Sequence, residues 1–392
     1  MTTHSRLRAV AVATLAASAL ALGLAAPTTA APTVRAHEAA AHRAAAVGPT
    51  TFTERGRYRV GERTLALPSG APVEVWYPTT KRAVRGKAIG KFDMVTWLPD
   101  YLKEKLPPGT KVLYPSGGVR GVEVADGRFP LVVFSHGFAG FRDQSVFLTS
   151  WLASWGFVVA APDHHSRDLT KVLNPGAPPA ATTDVEDLQA TITLLGTTSK
   201  TKHSWLRGHV DMKHVGAVGH SAGGRAVENL ALVDKRVDTF IGMAGASLGA
   251  LDQEAVEAPT QPGLLITGSA DGIVTLDRMR AAYEDMNAPK RFVLLDGAGH
   301  LVFSDLCMIG GDQGGLLSIA ALLDIAIPPQ LEPLATDGCS APAMPVTDGW
   351  PAIRQVVIAQ LRSALGIDGS AAGLTGLVEA FPGIVSENTT AP

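Results

Sequence analysis

The chain contains 392 residues, of which 46% are hydrophobic and 18% are charged, and these proportions suit a globular protein with a sizeable core. Its formal net charge is −2, and no dense block of Lys and Arg stands out. This balance argues against nucleic acid or an anionic membrane surface as a partner.

The N-terminus has the order of a secretory signal peptide. Two arginines form a short basic region, an Ala- and Leu-rich run extends from about Ala9 to Ala26, and small residues follow. We expect residues 1–30 to be a signal peptide cleaved near Ala30, so that the mature protein is secreted and keeps no integral membrane segment. The alternative is a retained anchor, which the short, Ala-rich run disfavours. Residues 31–49 are expected to be a flexible leader.

Seven short apolar runs predict strands, most of them of the type buried on both faces of a sheet. They are Val73–Trp76, Leu131–Ser135, Phe157–Ala161, Val215–Val218, Thr239–Met243, Leu264–Thr267 and Phe292–Leu295. Apolar residues at helical spacing occur between and after them, at Val185, Leu188, Ile192 and Leu195 and again at Ile353, Val357, Leu361 and Leu365. The alternation predicts an α/β protein with a mostly parallel central sheet and helices on both faces. We expect one domain over about residues 50–382 and a frayed tail over 383–392.

The strongest motif is Gly219-His220-Ser221-Ala222-Gly223, between a predicted strand and a predicted helix. A sharp strand-to-helix turn presents a serine hydroxyl at the sheet edge, and the glycines remove side chains that would clash there. The helix that follows directs its amide groups toward developing negative charge. We therefore predict Ser221 as a nucleophile and the Ala222 N–H as a donor to the oxyanion.

A serine hydroxyl is a poor nucleophile unless a base accepts its proton. The predicted base is His300, in a Gly- and Ala-rich loop after a predicted strand. The orienting acid is expected between serine and histidine in chain order, which favours Asp271, also just after a strand. Asp296 is too close to His300 in sequence, and Asp305 follows it, so both are weaker candidates.

The loop His136-Gly137-Phe138-Ala139-Gly140 follows another predicted strand. A loop in this place supplies the second oxyanion donor, which we assign to the Phe138 N–H, although a merely flexible glycine loop has the same composition. We also predict that His220, His164 and Phe303 line the rim of the substrate pocket.

The only cysteines are Cys307 and Cys339. In an exported protein two cysteines favour a disulfide, although two unpaired buried thiols remain the alternative. Without paired histidines they do not make a zinc site. We expect residues 307–339 to be an insertion that covers part of the site and is pinned by the disulfide.

A second insertion is predicted over about residues 81–128, where Met94, Trp97, Leu98, Tyr101 and Leu102 recur at helical spacing. The segment is either a lid or a surface that docks on lipid or polymer, or it is an apolar face packed on the core, and we favour packing. The run Asp163-His164-His165 with Asp168 suggests a metal site only weakly, because no further ligands occur at suitable spacing. We expect no metal, no cofactor and a monomer.

These motifs resemble the α/β-hydrolase superfamily, and more narrowly its branch of dienelactone hydrolases, chlorophyllases, bacterial polyester hydrolases and platelet-activating-factor acetylhydrolase-like esterases. The matching stretches are Trp76-Tyr77-Pro78, Phe134-Ser135-His136-Gly137, Ala161-Pro162-Asp163-His164, Gly219-His220-Ser221-Ala222-Gly223-Gly224, Gly299-His300 and Phe303-Ser304-Asp305. The resemblance covers about residues 70–305 and implies acyl-ester hydrolysis without a metal or organic cofactor. Animal platelet-activating-factor acetylhydrolases carry their acid after the strand that follows the nucleophile, where this chain has Ala244-Gly245-Ala246. Asp271 instead resembles the position used by dienelactone and polyester hydrolases.

The sequence therefore predicts a secreted serine ester hydrolase that forms an acyl-enzyme on Ser221 and acts on lipid, polyester or small acyl esters. A serine peptidase on the same fold is the first alternative, and the chain has no room for a large propeller or gating domain. The second is a secreted binding protein without catalysis. Such proteins usually lack a triad member, whereas all three are present here.

Overall fold

The computed structural model describes residues 47–174, 176–246, 257–311 and 315–392. The predicted signal peptide, 1–30, and the leader as far as residue 46 lie outside the described residues. No helix within the described ranges is both long and apolar enough to cross a bilayer.

The centre of the fold is a ten-stranded sheet with the order β12-β11-β10-β9-β8-β6-β7-β2-β1-β5. The strands are β1 Arg59–Ala66, β2 Pro72–Thr79, β5 Val119–Arg120, β6 Phe129–Ser135, β7 Val158–Pro162, β8 Val210–His220, β9 Thr239–Met243, β10 Gly263–Gly268, β11 Lys290–Leu295 and β12 Val385–Ala391. The neighbours from β11 to β7 pair in parallel, whereas β2 pairs with β7, and β1 with β2, in antiparallel fashion. The prediction of a mostly parallel α/β sheet is confirmed, and all seven predicted strands are present.

Helices connect and cover these strands. They are α1 Asp100–Lys103, α2 Val146–Ser154, α3 Leu169–Leu173, α4 Asp184–Lys200, α5 Ala222–Val233, α6 Leu276–Asp285, α7 Gly315–Leu322, α8 Glu332–Thr336, α9 Val346–Ala364 and α10 Leu377–Ala380, with 3-10 turns at Met94–Trp97, His300–Phe303 and Pro329–Leu331. The longest, α9 and α4, contain the two sets of helically spaced apolar residues found in the sequence, except Leu365, which directly follows α9.

Strand β6 shows why both faces of the sheet must be covered. Val132 and Phe134 point into one hydrophobic cluster, which also contains residues of α2 and α9. Leu131 and Val133 point into the other, together with residues of α4, α5 and α6. Successive side chains of a strand face opposite sides of a sheet, so a strand that is apolar at every position requires helices on both faces.

The C-terminal tail differs from its expectation. Residues 383–392 were expected to be frayed, but Val385–Ala391 is β12, which pairs antiparallel with β11 at the sheet edge. Arg280 forms an ion pair with Glu387 at 2.7 Å, and Arg291 donates to Asn388 Oδ1 at 2.6 Å. The domain therefore extends to the end of this strand.

The segment 81–128 packs against the body of the protein. Within it, β3 Lys91–Asp93 pairs antiparallel with β4 Leu113–Pro115 and brings together the two ends of residues 94–112. Met94, Trp97 and Leu98 are buried, whereas Tyr101 is 47% exposed. Packing, the favoured interpretation of this apolar stripe, is confirmed for these three side chains.

The predicted disulfide between Cys307 and Cys339 is present. It closes the second insertion, which contains α7 and α8. The insertion thus begins shortly after the 3-10 turn at His300, and the disulfide holds its two ends together there.

Candidate active site

Ser221 lies in the turn between β8, which ends at His220, and α5, which begins at Ala222. Its φ of 57° and ψ of −123° are a strained conformation for a residue with a side chain. The Ser221 N–H donates to the carbonyl of Met243 on β9 at 2.9 Å, which holds the turn against the sheet. A Cβ on Gly219 would overlap the carbonyl of Gly223, so only glycine fits there. The predicted nucleophile therefore lies on a sharp elbow at the sheet edge.

His300 and Asp271 meet at the carboxyl ends of neighbouring parallel strands. Asp271 follows β10 and His300 follows β11, and Asp271 Oδ2 lies 2.9 Å from His300 Nδ1. The other oxygen, Asp271 Oδ1, accepts from the N–H groups of Ile273 and Val274 at 2.8 Å each. A carboxylate facing Nδ1 keeps the proton on that nitrogen and leaves Nε2 as an acceptor. The structure brings these two predicted residues together with both side chains buried.

The N–H groups of the two predicted oxyanion donors have no hydrogen-bond partner within the described part of the chain. Among the hydrogen bonds of the described residues, none uses the N–H of Phe138 or of Ala222. The carbonyl of Gly137 accepts from Arg167 Nη1 and from His136 Nδ1, each at 2.8 Å. Because the peptide between Gly137 and Phe138 is trans, its N–H points away from that carbonyl. The contacts that hold the Gly137 carbonyl therefore also fix the direction of the Phe138 N–H.

Arg167 is a residue that sequence reasoning missed. Besides Gly137, its guanidinium contacts the carbonyl of His136 and donates to Ser135 Oγ at 2.9 Å and to Asp184 Oδ2 at 3.0 Å. Its own carbonyl accepts from the N–H of Ala139 at 2.9 Å. One arginine thus holds the loop on both sides of Phe138.

His164 does not line a pocket rim. The side chain is fully buried, with Nε2 2.9 Å from Ser135 Oγ and Nδ1 3.1 Å from Asp187 Oδ2. Burial lowers its pKa well below the ordinary histidine value, and the charge of Arg167 adds to this effect. The ring is therefore neutral, and it joins the end of β6 to α4. The prediction that His164 lines the pocket rim is wrong, because the chain turns toward the protein interior where it leaves β7.

His220 and Phe303 are not on a rim either, since they are 2% and 0% exposed. His220 Nδ1 lies 3.0 Å from Gln144 Nε2, and its Nε2 lies 3.1 Å from the carbonyl of His300. The amide must donate to Nδ1, so Nε2 carries the proton and donates to His300. Gln144 also accepts from the N–H of Gly137 at 3.2 Å. Through His220, Gln144 links the oxyanion loop to the backbone of His300.

Asp337, like Arg167 and Gln144, is a residue of the site that the sequence did not reveal. Its Oδ1 accepts from the N–H of His300 at 2.6 Å, and its Oδ2 accepts from the N–H of Gly272 at 3.1 Å. Its carbonyl accepts from the N–H of Leu301 at 3.0 Å. This carboxylate, two residues before Cys339, therefore ties together the loops that carry Asp271 and His300.

Asp305 and Asp296, the weaker candidates for the orienting acid, have other hydrogen-bond partners. Asp305 Oδ2 accepts from the N–H of Phe147 at 2.8 Å and its Oδ1 from Tyr114 at 3.2 Å. Burial raises the pKa of Asp305 to about 7. Asp296 is exposed and accepts from Ser269 Oγ at 3.2 Å.

The side chains of the run Asp163-His164-His165 diverge. Asp163 accepts from Trp97 Nε1 at 3.0 Å and pairs with Arg142, whereas His164 has the partners described above. No group of three His, Cys, Asp or Glu side chains in the described ranges is arranged to hold a metal ion.

The comparisons with known proteins agree with this architecture. A model of the dienelactone hydrolase family matches residues 119–309. Those residues, just under half of the chain, are similar to that family. They include Ser221, Asp271, His300 and Phe138, whereas Asp337 and Cys339 lie beyond them. The family match supports an ester hydrolase, on an α/β-hydrolase fold.

A solved structure, a ferulic acid esterase from Streptomyces cinnamoneus, is similar with a TM-score of 0.57 and 21% sequence identity. The alignment covers 86% of this chain and 97% of that one. At this identity the likeness concerns the fold. A search of curated proteins finds no match.

Proposed function

We propose that the protein is an exported serine hydrolase of carboxylic esters, with Ser221 as nucleophile. The observation that carries the proposal is the 2.9 Å contact between His300 Nδ1 and Asp271 Oδ2, which leaves His300 Nε2 free to accept a proton. The elbow at Ser221 supports it, as do the N–H groups of Phe138 and Ala222, for which the described residues offer no hydrogen-bond acceptor. Lipid, polyester and small acyl esters are the proposed substrates, and the proposed acting form is a monomer.

In the proposed mechanism His300 Nε2 takes the Ser221 proton as Oγ attacks the ester carbonyl. Asp271 stabilises the imidazolium that forms, and the N–H groups of Phe138 and Ala222 donate to the oxyanion. His300 then protonates the departing alkoxide, which leaves the acyl group on Ser221. A water molecule, deprotonated by His300, hydrolyses the acyl-enzyme and restores the serine.

Export is proposed from the order of residues at the N-terminus, and the Cys307–Cys339 disulfide supports it because disulfides persist in oxidising compartments. Mass spectrometry of the protein from the culture medium, when expressed with residues 1–30 in a secreting bacterial host, tests it. We expect a mature N-terminus near Ala31.

The catalytic proposal is tested with Ser221→Ala. The parent should hydrolyse p-nitrophenyl butyrate and react with a fluorophosphonate probe, and the variant should do neither. Ser69→Ala, at an exposed serine in the turn between β1 and β2, is the matched control and should behave as the parent. Equal hydrolysis by Ser221→Ala and the parent would remove Ser221 from the mechanism. A parent that neither hydrolyses the ester nor reacts would favour a binding protein.

A further inference from the structure

An apolar cavity of about 130 Å³ lies beside the candidate active site. Its walls come from both insertions and from α3. Aliphatic side chains dominate the lining, among them Met94, Leu98, Leu169, Leu173, Ile319 and Leu323. None of the described residues that line it carries a charge.

Phe138 connects this cavity to the proposed chemistry. Phe138 and Ala139 line the cavity, while the Phe138 N–H is the proposed oxyanion donor. Leu306, six residues after His300, lines the same space. The phenyl side chain of Phe138 is not packed in the core, since the residue is 46% exposed. A substrate carbonyl held by the Phe138 N–H would therefore have this cavity as its neighbour.

The cavity continues toward the surface. A groove of about 500 Å³ shares Phe138, Leu173, Leu331 and Leu334 with it and adds Tyr101 and Pro328 at its edge. The two spaces therefore adjoin, and together they connect the oxyanion loop to the surface at Tyr101, which is 47% exposed. Adjoining spaces with an apolar lining suit a flexible hydrocarbon chain better than a compact polar group.

We propose that this cavity binds the hydrocarbon tail of the substrate's acyl group. The proposal rests on the proposed function and names its substrate class, esters of medium-chain fatty acids. An apolar cavity of similar volume engineered in another protein stays dry and binds benzene, a molecule of six carbons. Because the adjoining groove gives room for a longer chain, we expect acyl groups of roughly six to ten carbons to be preferred. A charged or strongly polar acyl group would lose its hydration in the cavity without a hydrogen-bond partner.

The size of the effect follows from the area that a methylene group removes from water. Each methylene that enters the cavity should raise kcat/KM by roughly threefold to fourfold until the space is filled. Because the proposal places the acyl chain in the cavity, this preference should follow the acyl chain and not the alcohol.

The experiment compares p-nitrophenyl esters from acetate to palmitate. For esters with acyl chains from hexanoate to decanoate, the kcat/KM of the parent should exceed its value for acetate by at least about tenfold. Ala320→Phe adds a ring inside the cavity, and we expect it to lower the octanoate-to-acetate ratio of kcat/KM at least about tenfold. Ala281→Phe is the matched control, because Ala281 is exposed on α6 and does not line the cavity. It should keep the parent ratio.

Leu173→Ala is a second variant with the opposite effect. Leu173 lines both the cavity and the groove, so its truncation should move the optimum to longer chains. A parent that prefers acetate, or an Ala320→Phe variant whose ratio equals that of the control, would overturn the acyl-site proposal while leaving ester hydrolysis intact.

A binding measurement separates this proposal from the proposed catalysis. Decanoate should bind the Ser221→Ala variant in a calorimetric titration, and adding Ala320→Phe to that variant should weaken binding at least about tenfold. Decanoate binding without any esterase activity in the parent would refute the proposed function only. Equal binding by the single and double variants would refute the acyl site only.

Discussion

Arg167 Nη1 donates to the carbonyl of Gly137 at 2.8 Å, on the opposite side of the peptide from the N–H of Phe138. A planar trans peptide has its carbonyl and its N–H in opposite directions, so a contact that holds one also aims the other. A positive charge at the carbonyl also polarises the peptide and strengthens its N–H as a donor. The oxyanion loop is therefore positioned by a residue about thirty positions further along the chain.

We predict that Arg167→Lys lowers kcat for p-nitrophenyl butyrate by about tenfold to a hundredfold with little change in KM. Lysine keeps the charge but cannot reproduce the fork of contacts to Gly137, His136 and Ser135, and an oxyanion donor acts mainly in the transition state. Steady-state kinetics measure the split between kcat and KM. Arg236→Lys is the matched control, since Arg236 pairs with Asp234 on the surface and should leave both constants unchanged. A raised KM at constant kcat would contradict the positioning role.

Asp271→Asn tests the orientation of His300. An amide oxygen can still accept from Ile273 and Val274, but the amide NH2 would then face His300 Nδ1 and favour the tautomer with its proton on Nε2. That tautomer cannot accept the Ser221 proton, so kcat should fall by about ten-thousandfold, as in the equivalent serine protease variant. Asp296→Asn, at an exposed carboxylate, serves as control. A loss of less than about tenfold would point to another acid.

Removal of the disulfide should affect both stability and catalysis. In the chain-entropy model a closed loop of this length contributes about 3–4 kcal/mol to the free energy of unfolding. We expect the double variant Cys307→Ser, Cys339→Ser to lose about that amount in urea unfolding monitored by circular dichroism. Because Asp337 holds the backbone of His300 and of Gly272, kcat should fall as well under conditions in which the variant is folded. Unchanged kcat would show that Asp337 stays in place without the disulfide.

The raised pKa of Asp305 predicts that the stability of the protein depends on pH. Burial raises the folded-state pKa of this residue to about 7 from the ordinary value of 3.8. Between these values the folded state holds a proton that the unfolded state has lost, so the contribution of Asp305 to stability falls as pH rises through this window and is at its lowest above about pH 7. Asp305→Asn removes this dependence.

The gain in Tm of Asp305→Asn over the parent should therefore be larger at about pH 8 than at about pH 5. Differential scanning calorimetry at the two pH values measures it, with the exposed Asp296→Asn as control. An asparagine can still accept from the N–H of Phe147 and donate to Tyr114, so the packing around it is preserved. A gain that is equal at both pH values, or larger at the lower one, would contradict the raised pKa.

The C-terminal strand shows where sequence patterns lose their information. Val385–Ala391 reads Val-Ser-Glu-Asn-Thr-Thr-Ala and has no regular apolar alternation. As an edge strand it is held by backbone pairing with β11 and by polar contacts such as Arg280 to Glu387. Hydrophobic periodicity reports burial, so a strand that buries little leaves no trace in it.

The sequence by itself determined seven strands of the sheet, their alternation with helices, and the places of Ser221, Asp271 and His300. These features are local, because an apolar run predicts a buried strand and the residues just after it must lie at the sheet edge. Only the tertiary structure decided the partners of the site. Gln144 lies 76 positions from His220, and Asp337 lies 37 from His300. Which distant polar groups meet, and which histidines turn inward, depends on how the loops pack, and no spacing along the chain encodes it.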